Sequence, residues 1–434
     1  MSELSLNRTT ALDIINSLRR GTVPGEGLHH LAVGIQLEIK TIRDQLDYVR
    51  TGKGDFKFIR GAYGAGKTFL ASLALETTLD MNFAASQVVI SVDTPLHKLD
   101  RVYHRIINNL RTRGQDQAAL KGIIDRWIYN IEDRLIDLDG YQEDDPRLLD
   151  RVEQEMEVDL GDIARFNSRF SSALRAYYRA QADGDYAAAQ GLLGWLSGEE
   201  GIAYTIKKQA GITGEIDNTS ALDFLRGITQ ITILAGHTGV AIVLDEVETV
   251  QRLRTQNMRE GSLNNLRQIV DAISAGRFPN TYFVFTGTPN FFDNRRGVPS
   301  LQPLHERIKL DDPDSPYPNP RQPQLVLKPF DKDKLLAVAH KVRAIFEIAY
   351  GSVDRQRVSD EFIQAMTEKI TNKFGGKVEV VPRIFLREFI DVLDKVQQYE
   401  SYDPRQAYDF DLDQVKKDIG LSPEEESQIE PITF

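Results

Sequence analysis

The chain has 434 residues, of which 41% are hydrophobic and 27% charged, with a net charge of −11 and no cysteine. That length allows a large core domain with one or two additions. The lack of cysteine excludes disulfides, thiolate nucleophiles, Cys-type zinc sites and iron–sulfur clusters. No apolar run approaches the roughly 18–20 residues needed to span a bilayer. The opening MSELSLNRTT lacks a basic segment followed by an apolar one, so a cytoplasmic protein with no membrane partner is expected. None of the seven histidines shows metal-ligand spacing.

Charge is unevenly spread. Residues 132–159 hold twelve acids and three bases, and residues 401–434 nine acids and three bases. Between Gln251 and Lys309 the balance reverses to nine bases against four acids. A basic face of this kind can bind phosphate or DNA despite a negative total, and an ordinary solvated surface is the competing reading.

In chain order, residues 8–50 read as helical, with a Gly/Pro break at 21–27. FKFIR at 56–60 alternates as a short strand and runs into GAYGAGKT, after which Phe69, Leu70, Leu73 and Leu79 predict a helix of about three turns. VVISVD at 88–93 is the second predicted strand. Residues 97–236 read as mostly helical, with acidic breaks near 139–146 and weak patterning at 180–220. GVAIVLDE at 239–246 is a buried strand ending in two carboxylates. A helix around 262–275 leads to the strand TYFVFTGT at 281–288. Proline crowds 299–323, and QLVLKPF at 324–330 is the last strand. Helices follow at about 331–349, 359–372 and 383–398, and then an acidic tail.

Gly61-Ala62-Tyr63-Gly64-Ala65-Gly66-Lys67-Thr68 fits G-x-x-x-x-G-K-[ST]. Glycines admit backbone angles that let several N–H groups converge on phosphate oxygens, and the following helix adds its positive end. Lys67 is expected to reach the β- and γ-phosphates and Thr68 to give its hydroxyl to Mg²⁺. The phosphate-binding set is Gly61 through Phe69. Five apolar residues, Val240 to Leu244, place Asp245 at the carboxyl end of a central strand, where ligands of open α/β sheets bind. Asp245 is expected to hold Mg²⁺, and Glu246 to orient or deprotonate the attacking water. Glu248 reads as a surface or supporting acid.

The strand VVISVD lies between these two motifs in sequence, so the two motif-bearing strands are expected to be separated in the sheet by an inserted one. That arrangement, with a glutamate beside the aspartate, resembles the ASCE division of P-loop ATPases. No NKxD-type guanine reader is present, which favours ATP over GTP.

Further positions resemble the AAA+ superfamily. Thr288, with Thr286 second, lies where that superfamily keeps a polar sensor of the γ-phosphate. Arg307, in Leu304-His305-Glu306-Arg307, lies where it carries an arginine finger, with Arg295 and Arg296 as competitors. Arg383, in Val381-Pro382-Arg383, resembles its second sensor. Each of these arginines could equally make a surface salt bridge. With FTGTPNFF and VPRIFLREF in this order, the chain resembles the Orc/Cdc6-like and STAND-like branch of AAA+ ATPases. More narrowly, it resembles the BrxD-like ATP-binding proteins of BREX phage-defence loci. Leu18-Arg19-Arg20-Gly21, Val33-Gly34, Glu38, LDEVETV and FTGTPNFFDNRRGV carry that likeness.

The chain departs from the pattern at Ile35, where many relatives have arginine. Residues 401–434 are also too short and too acidic for the winged-helix DNA reader that Orc-like proteins append. The resemblance implies an α/β fold, an ASCE-type core with a parallel five-stranded sheet flanked by helices. The expected division is an N-terminal helical element at 1–50, a core at 51–330 with a helical insertion at about 97–236, a helical lid at 331–400 and an acidic tail at 401–434. It implies an ATPase using ATP and Mg²⁺ and working with a helicase-like defence protein on DNA, while a homo-oligomeric ring, a filament and a monomer are equally compatible with one chain. Two other expectations stand beside it. One is a nucleotide-gated switch that barely hydrolyses ATP, and the other a DNA-binding initiator or clamp-loader-like protein using 251–309.

Overall fold

The computed structural model describes residues 6–139, 141, 146–312, 315–373 and 381–409. All but the first nine residues of the acidic tail therefore lie outside the described residues. Two helices come first, α1 (Arg8–Arg19) and α2 (Gln36–Val49), followed by β1 (Asp55–Arg60), α3 (Lys67–Asp80) and β2 (Ala84–Val89). Among the described residues seven helices then precede the next strand: α4 (Leu99–Asn108), α5 (Leu120–Asp139), α6 (Pro146–Phe166), α7 (Ser168–Ala182), α8 (Tyr186–Leu196), α9 (Tyr204–Gln209) and α10 (Ala221–Leu234). After β3 (Val240–Asp245) come α11 (Gln256–Ser274), β4 (Thr281–Gly287), α12 (Pro289–Asp293), α13 (Gln302–Ile308) and β5 (Gln324–Val326). The chain continues through α14 (Lys332–Tyr350), α15 (Asp360–Lys373), α16 (Val381–Gln398) and α17 (Pro404–Ala407). Among the described residues, no helix is long and apolar enough to cross a membrane.

The five strands form one parallel sheet in the order β2-β3-β4-β1-β5. The two motif-bearing strands, β1 and β3, are indeed separated, but the strand between them is β4, whereas β2 lies at the edge beside β3. Side chains alternate between the faces. Phe58, Ile242, Leu244, Phe283 and Phe285 point into the core shared with the α4–α11 helices, while Ile59, Ala241, Val243, Tyr282 and Val284 point toward α2 and α3. On the first face the rings stack, Phe58 on Phe285 with centroids 4.5 Å apart.

Two expectations change in detail. The second strand lies at 84–89 rather than 88–93, because small residues let it pair and pack. Ala84 to Val89 run in register with Val240 to Asp245, and the buried Ser86 hydroxyl donates to the Ile106 carbonyl at 2.8 Å. The last strand stops at Val326 rather than 330. Leu327 N–H still donates to the Arg60 carbonyl at 2.7 Å, but β1 then turns into the glycine loop, leaving nothing to pair with, and Pro329 has no N–H. Lys57, polar in an alternating strand, is 1% exposed. Its ammonium donates to the carbonyls of Pro320 at 2.9 Å and Gln322 at 2.6 Å, tying down the proline-crowded connection, and burial lowers its pKa to about 8.

α1 and α2 part company. Ala11, Ile14, Ile15 and Leu18 of α1 belong to one apolar core with α14, α15 and α16, whereas Ile42, Leu46 and Val49 of α2 belong to the core over α3 and the sheet. Arg19 clamps the first arrangement, donating to both carboxylate oxygens of Asp394 on α16 at 2.8 Å. Replacing Ile15, fully buried in that core, by alanine should cost about 2–5 kcal/mol. Hydrogen exchange should quicken in α14–α16 before the sheet. Equal loss of protection in β3 and β4 would contradict this division of the core.

Candidate functional site

β1 delivers the chain to the glycine loop, and Gly61 N–H continues the ladder to the Gly287 carbonyl at 3.2 Å. Gly64 and Gly66 have φ of 75° and 91°, a region closed to most residues, and Gly66 precedes α3 directly. The loop's N–H groups and the positive end of a 14-residue helix thus meet at the carboxyl edge of the sheet, an arrangement that suits an anion. Lys67 opens α3 and is buried. Its ammonium donates to the loop's own carbonyls, Gly61 at 3.0 Å and Ala62 at 3.1 Å, and lies 5.0 Å from the centre of the Tyr63 ring. Burial lowers its pKa, against the opposing pull of Glu248, Asp245 and Glu246. Three carboxylates therefore face the lysine from the end of β3.

Thr68 follows, half-buried in the first turn, and Phe69 packs against the core that holds α1 and α14–α16, as does Phe330. Thr68 hydroxyl and Asp245 carboxylate are hard oxygen donors, and Mg²⁺ accepts such a pair when water and phosphate oxygens complete its shell. The two residues fit that ion.

At the other motif, Asp245 is 2% exposed and ends β3. Its Oδ1 accepts from the Thr286 hydroxyl on β4 and, at 3.1 Å, from the Glu246 N–H, while Gln87 Nε2 of β2 donates to Oδ2 at 3.3 Å. Thr286 Oγ1 also accepts from the Glu246 N–H at 3.0 Å. Glu246 itself has φ 58° and ψ 43°, a left-handed conformation that costs a non-glycine residue about 1–2 kcal/mol. These bonds offset that strain and set the exposed Glu246 side chain apart from the buried Asp245.

The remaining predicted residues are more dispersed. Thr286 contacts Asp245, while Thr288 sits beyond the strand at the start of α12, buried, with its carbonyl accepting from Phe291 N–H at 3.0 Å. Arg307 on α13 is paired with Asp271 on α11 and donates to the Pro303 carbonyl at 2.6 Å. Arg295 and Arg296 are exposed in the loop after α12. Arg383 is exposed at the start of α16 and packs over Gly21, so closely that a Cβ there would lie 3.0 Å from its Nε.

Sequence reasoning undervalued three residues. Gln87 touches the key aspartate from an edge strand, and a lone amide amid apolar strand residues was the available signal. Arg60, directly before the loop, pairs with Asp293 through both carboxylate oxygens. Glu248 is not a surface acid: it is 4% exposed, and neither carboxylate oxygen has a hydrogen-bond partner. Burial pushes its pKa up to about 7, although nearby Lys67 works the other way.

With this geometry in place, comparison with protein families gives a match to the model described as BREX system ATP-binding protein BrxC/D, over residues 6–412. A comparison with curated proteins finds no match.

Glu248 generates a pH-dependent stability test. Its folded pKa lies above the ordinary carboxylate value, so the fold favours the neutral acid and loses stability as pH rises through about 7. Glu248→Gln should be close to neutral at pH 5 and stabilise by about 2–3 kcal/mol at pH 8. Denaturant unfolding at the two pH values checks this, and an equal effect at both would show that Glu248 is not buried as its acid.

Proposed function

The chain belongs to the BrxC/D family of BREX system ATP-binding proteins, and from that premise we propose that it is an ATP-hydrolysing AAA+-like protein that couples its nucleotide cycle to assembly on DNA or on a partner in phage defence. The observation that carries this reading is the meeting of Lys67, Asp245 and Glu246 at one sheet edge, with Thr286 bonded to both acidic positions. A nucleotide-binding turn alone would need neither the Asp245 network nor the strained Glu246.

In this reading the loop N–H groups and the α3 end hold the phosphates, and Lys67 leaves the Gly61 and Ala62 carbonyls to meet the β- and γ-oxygens. Thr68 and Asp245 would hold Mg²⁺, which would supply positive charge to offset that on the phosphate oxygens. Glu246 orients the attacking water and takes its proton. Thr286 keeps Asp245 in place and is the better candidate than Thr288 for relaying the state of the γ-phosphate, since it already touches both acids. Arg383 acts within the chain and Arg307 across a homo-oligomer, where it would first have to leave Asp271. Arg295 and Arg296 have no such tie among the described residues and are its competitors.

The organisation proposed is a core at about 51–330 with α4–α10 as a helical insertion, and a lid at about 331–400 to which α1 is joined. DNA would be met through the basic stretch 251–309, and a helicase-like defence protein is the expected partner. A nucleotide-gated switch with little turnover is the second reading. It is favoured by the two carbonyl bonds that Lys67 must break before phosphate can bind.

Steady-state ATP turnover, with and without single- or double-stranded DNA, tests the proposal. Lys67→Ala should abolish measurable ATP binding. Glu246→Gln should bind ATP within about threefold of wild type yet turn it over at least about 10²-fold more slowly. Equal turnover in wild type and Glu246→Gln would sink the hydrolysis mechanism and leave the switch. DNA stimulation that vanishes in Glu246→Gln would support coupling to DNA.

A further inference from the structure

Among the described residues, neither oxygen of the Glu248 carboxylate meets a hydrogen-bond donor, although the residue is 4% exposed. Its own N–H draws it toward the charged form without reaching hydrogen-bond geometry. The backbone holds the group in this position. Glu248 belongs to the 3-10 turn Val247–Arg252, in which Val247, Thr249 and Val250 are buried and Thr249 N–H donates to the Glu246 carbonyl at 3.0 Å. Gln251 Nε2 fixes the far side of the turn on the Asn290 carbonyl at 3.2 Å. A buried carboxyl without a donor costs stability, and folds carry such costs where a site needs the group.

The charge that faces it belongs to Lys67. After burial, Lys67 is the strongest influence on Glu248, and Glu248 is the strongest on Lys67, ahead of Asp245 and Glu246. Yet the two are not hydrogen-bonded to each other. An ammonium offers three hydrogens, and Lys67 gives two of them to the Gly61 and Ala62 carbonyls. Lys67 is 8% exposed, so hydrogens that leave those carbonyls must find other acceptors. Asp245 already accepts from Thr286, Gln87 and the Glu246 N–H, and the Glu246 side chain is exposed. Glu248 is buried and has both oxygens open. We propose that Glu248 is a positioning residue for Lys67, accepting from its ammonium once Lys67 has left the Gly61 and Ala62 carbonyls for the phosphates of a nucleotide. This rests on the ATP-binding reading above and deepens it by giving the third acid a task. Part of the ammonium then meets phosphate while the rest meets Glu248, which orients the lysine and supplies the carboxylate with its donor.

Binding of ADP to the full chain, measured by calorimetry with and without Mg²⁺, tests the proposal on Glu248→Met and Glu248→Gln. Charge alone predicts that removing a carboxylate near the phosphates tightens the binding of an anion. Positioning predicts the reverse. Glu248→Met keeps the volume but removes the acceptor, so ADP should bind about tenfold more weakly in both conditions. Glu248→Gln keeps an acceptor oxygen and should stay within about threefold of wild type. Both variants should unfold at denaturant concentrations no lower than wild type, which separates lost positioning from a damaged fold. A Glu248→Met variant that binds ADP as tightly as wild type, or more tightly, overturns the proposal. So does a loss confined to the Mg²⁺ condition, because the carboxylate would then act on the metal and not on Lys67. Wild-type protein that binds ADP in neither condition would instead overturn the ATP-binding reading beneath it.

Discussion

The insertion of β4 between β1 and β3 is the constraint on which the site depends. With β4 there, the Thr286 hydroxyl reaches Asp245 Oδ1 and also the N–H of Glu246. If β1 and β3 were neighbours, that hydroxyl would lie elsewhere and Asp245 would carry a buried charge with fewer donors, a costly state. The same bonds offset the left-handed backbone of Glu246, and it is that conformation which separates a buried carboxylate from an exposed one in adjacent residues. Strain concentrated at one residue and repaired by a neighbouring strand is a frequent mark of a site built for chemistry.

Much of this architecture was legible in the sequence. Strand, glycine loop and helix follow one another around Gly61–Thr68, and an unbroken apolar run delivers Asp245, because parallel strands buried on both faces read as continuous hydrophobic segments. What was not legible depended on neighbours. Ala84, Ala85 and Ser86 have weak strand preference, yet they form the edge strand because small residues fit, Ser86 beneath α4 and Ala85 on the opposite face over α3, and propensity measures no such fit. Lys57, the polar residue of an alternating strand, is buried because its acceptors are carbonyls more than 260 residues away in sequence. Between the surface and the supporting reading of Glu248 only its burial decides, and nothing local announces that a turn will fold it inward.

The arginines show the limit from the other side. Their order along the chain suggests roles, but a guanidinium is as useful for holding helices together as for touching phosphate. Arg307 bonds Asp271 and the Pro303 carbonyl, which joins α13 to α11. Arg19 and Arg60 are each spent on a carboxylate from a distant element. Position in a motif therefore ranks such residues poorly until their partners are known, whereas a glycine with φ near 90° or a carboxylate at a strand end has few alternative uses.

The division of the N-terminus has a physical consequence for how the two ends of the chain act. α1 shares a core with α14–α16, Lys341 of α14 donates to the Ala32 carbonyl at 2.6 Å, and Gly27 N–H donates to Glu76 on α3. Phe69 of α3 and Phe330 both lie against that same core, and Phe330 is the nearest side chain to the space beside Gly66. Close-packed interiors transmit displacement rather than absorb it. Any displacement of α3 would therefore press on Phe69, and through it on the packed group of α1 and α14–α16. One apolar core holds α1 to α14–α16, and the aromatic contact at Phe69 sets that core against the glycine loop.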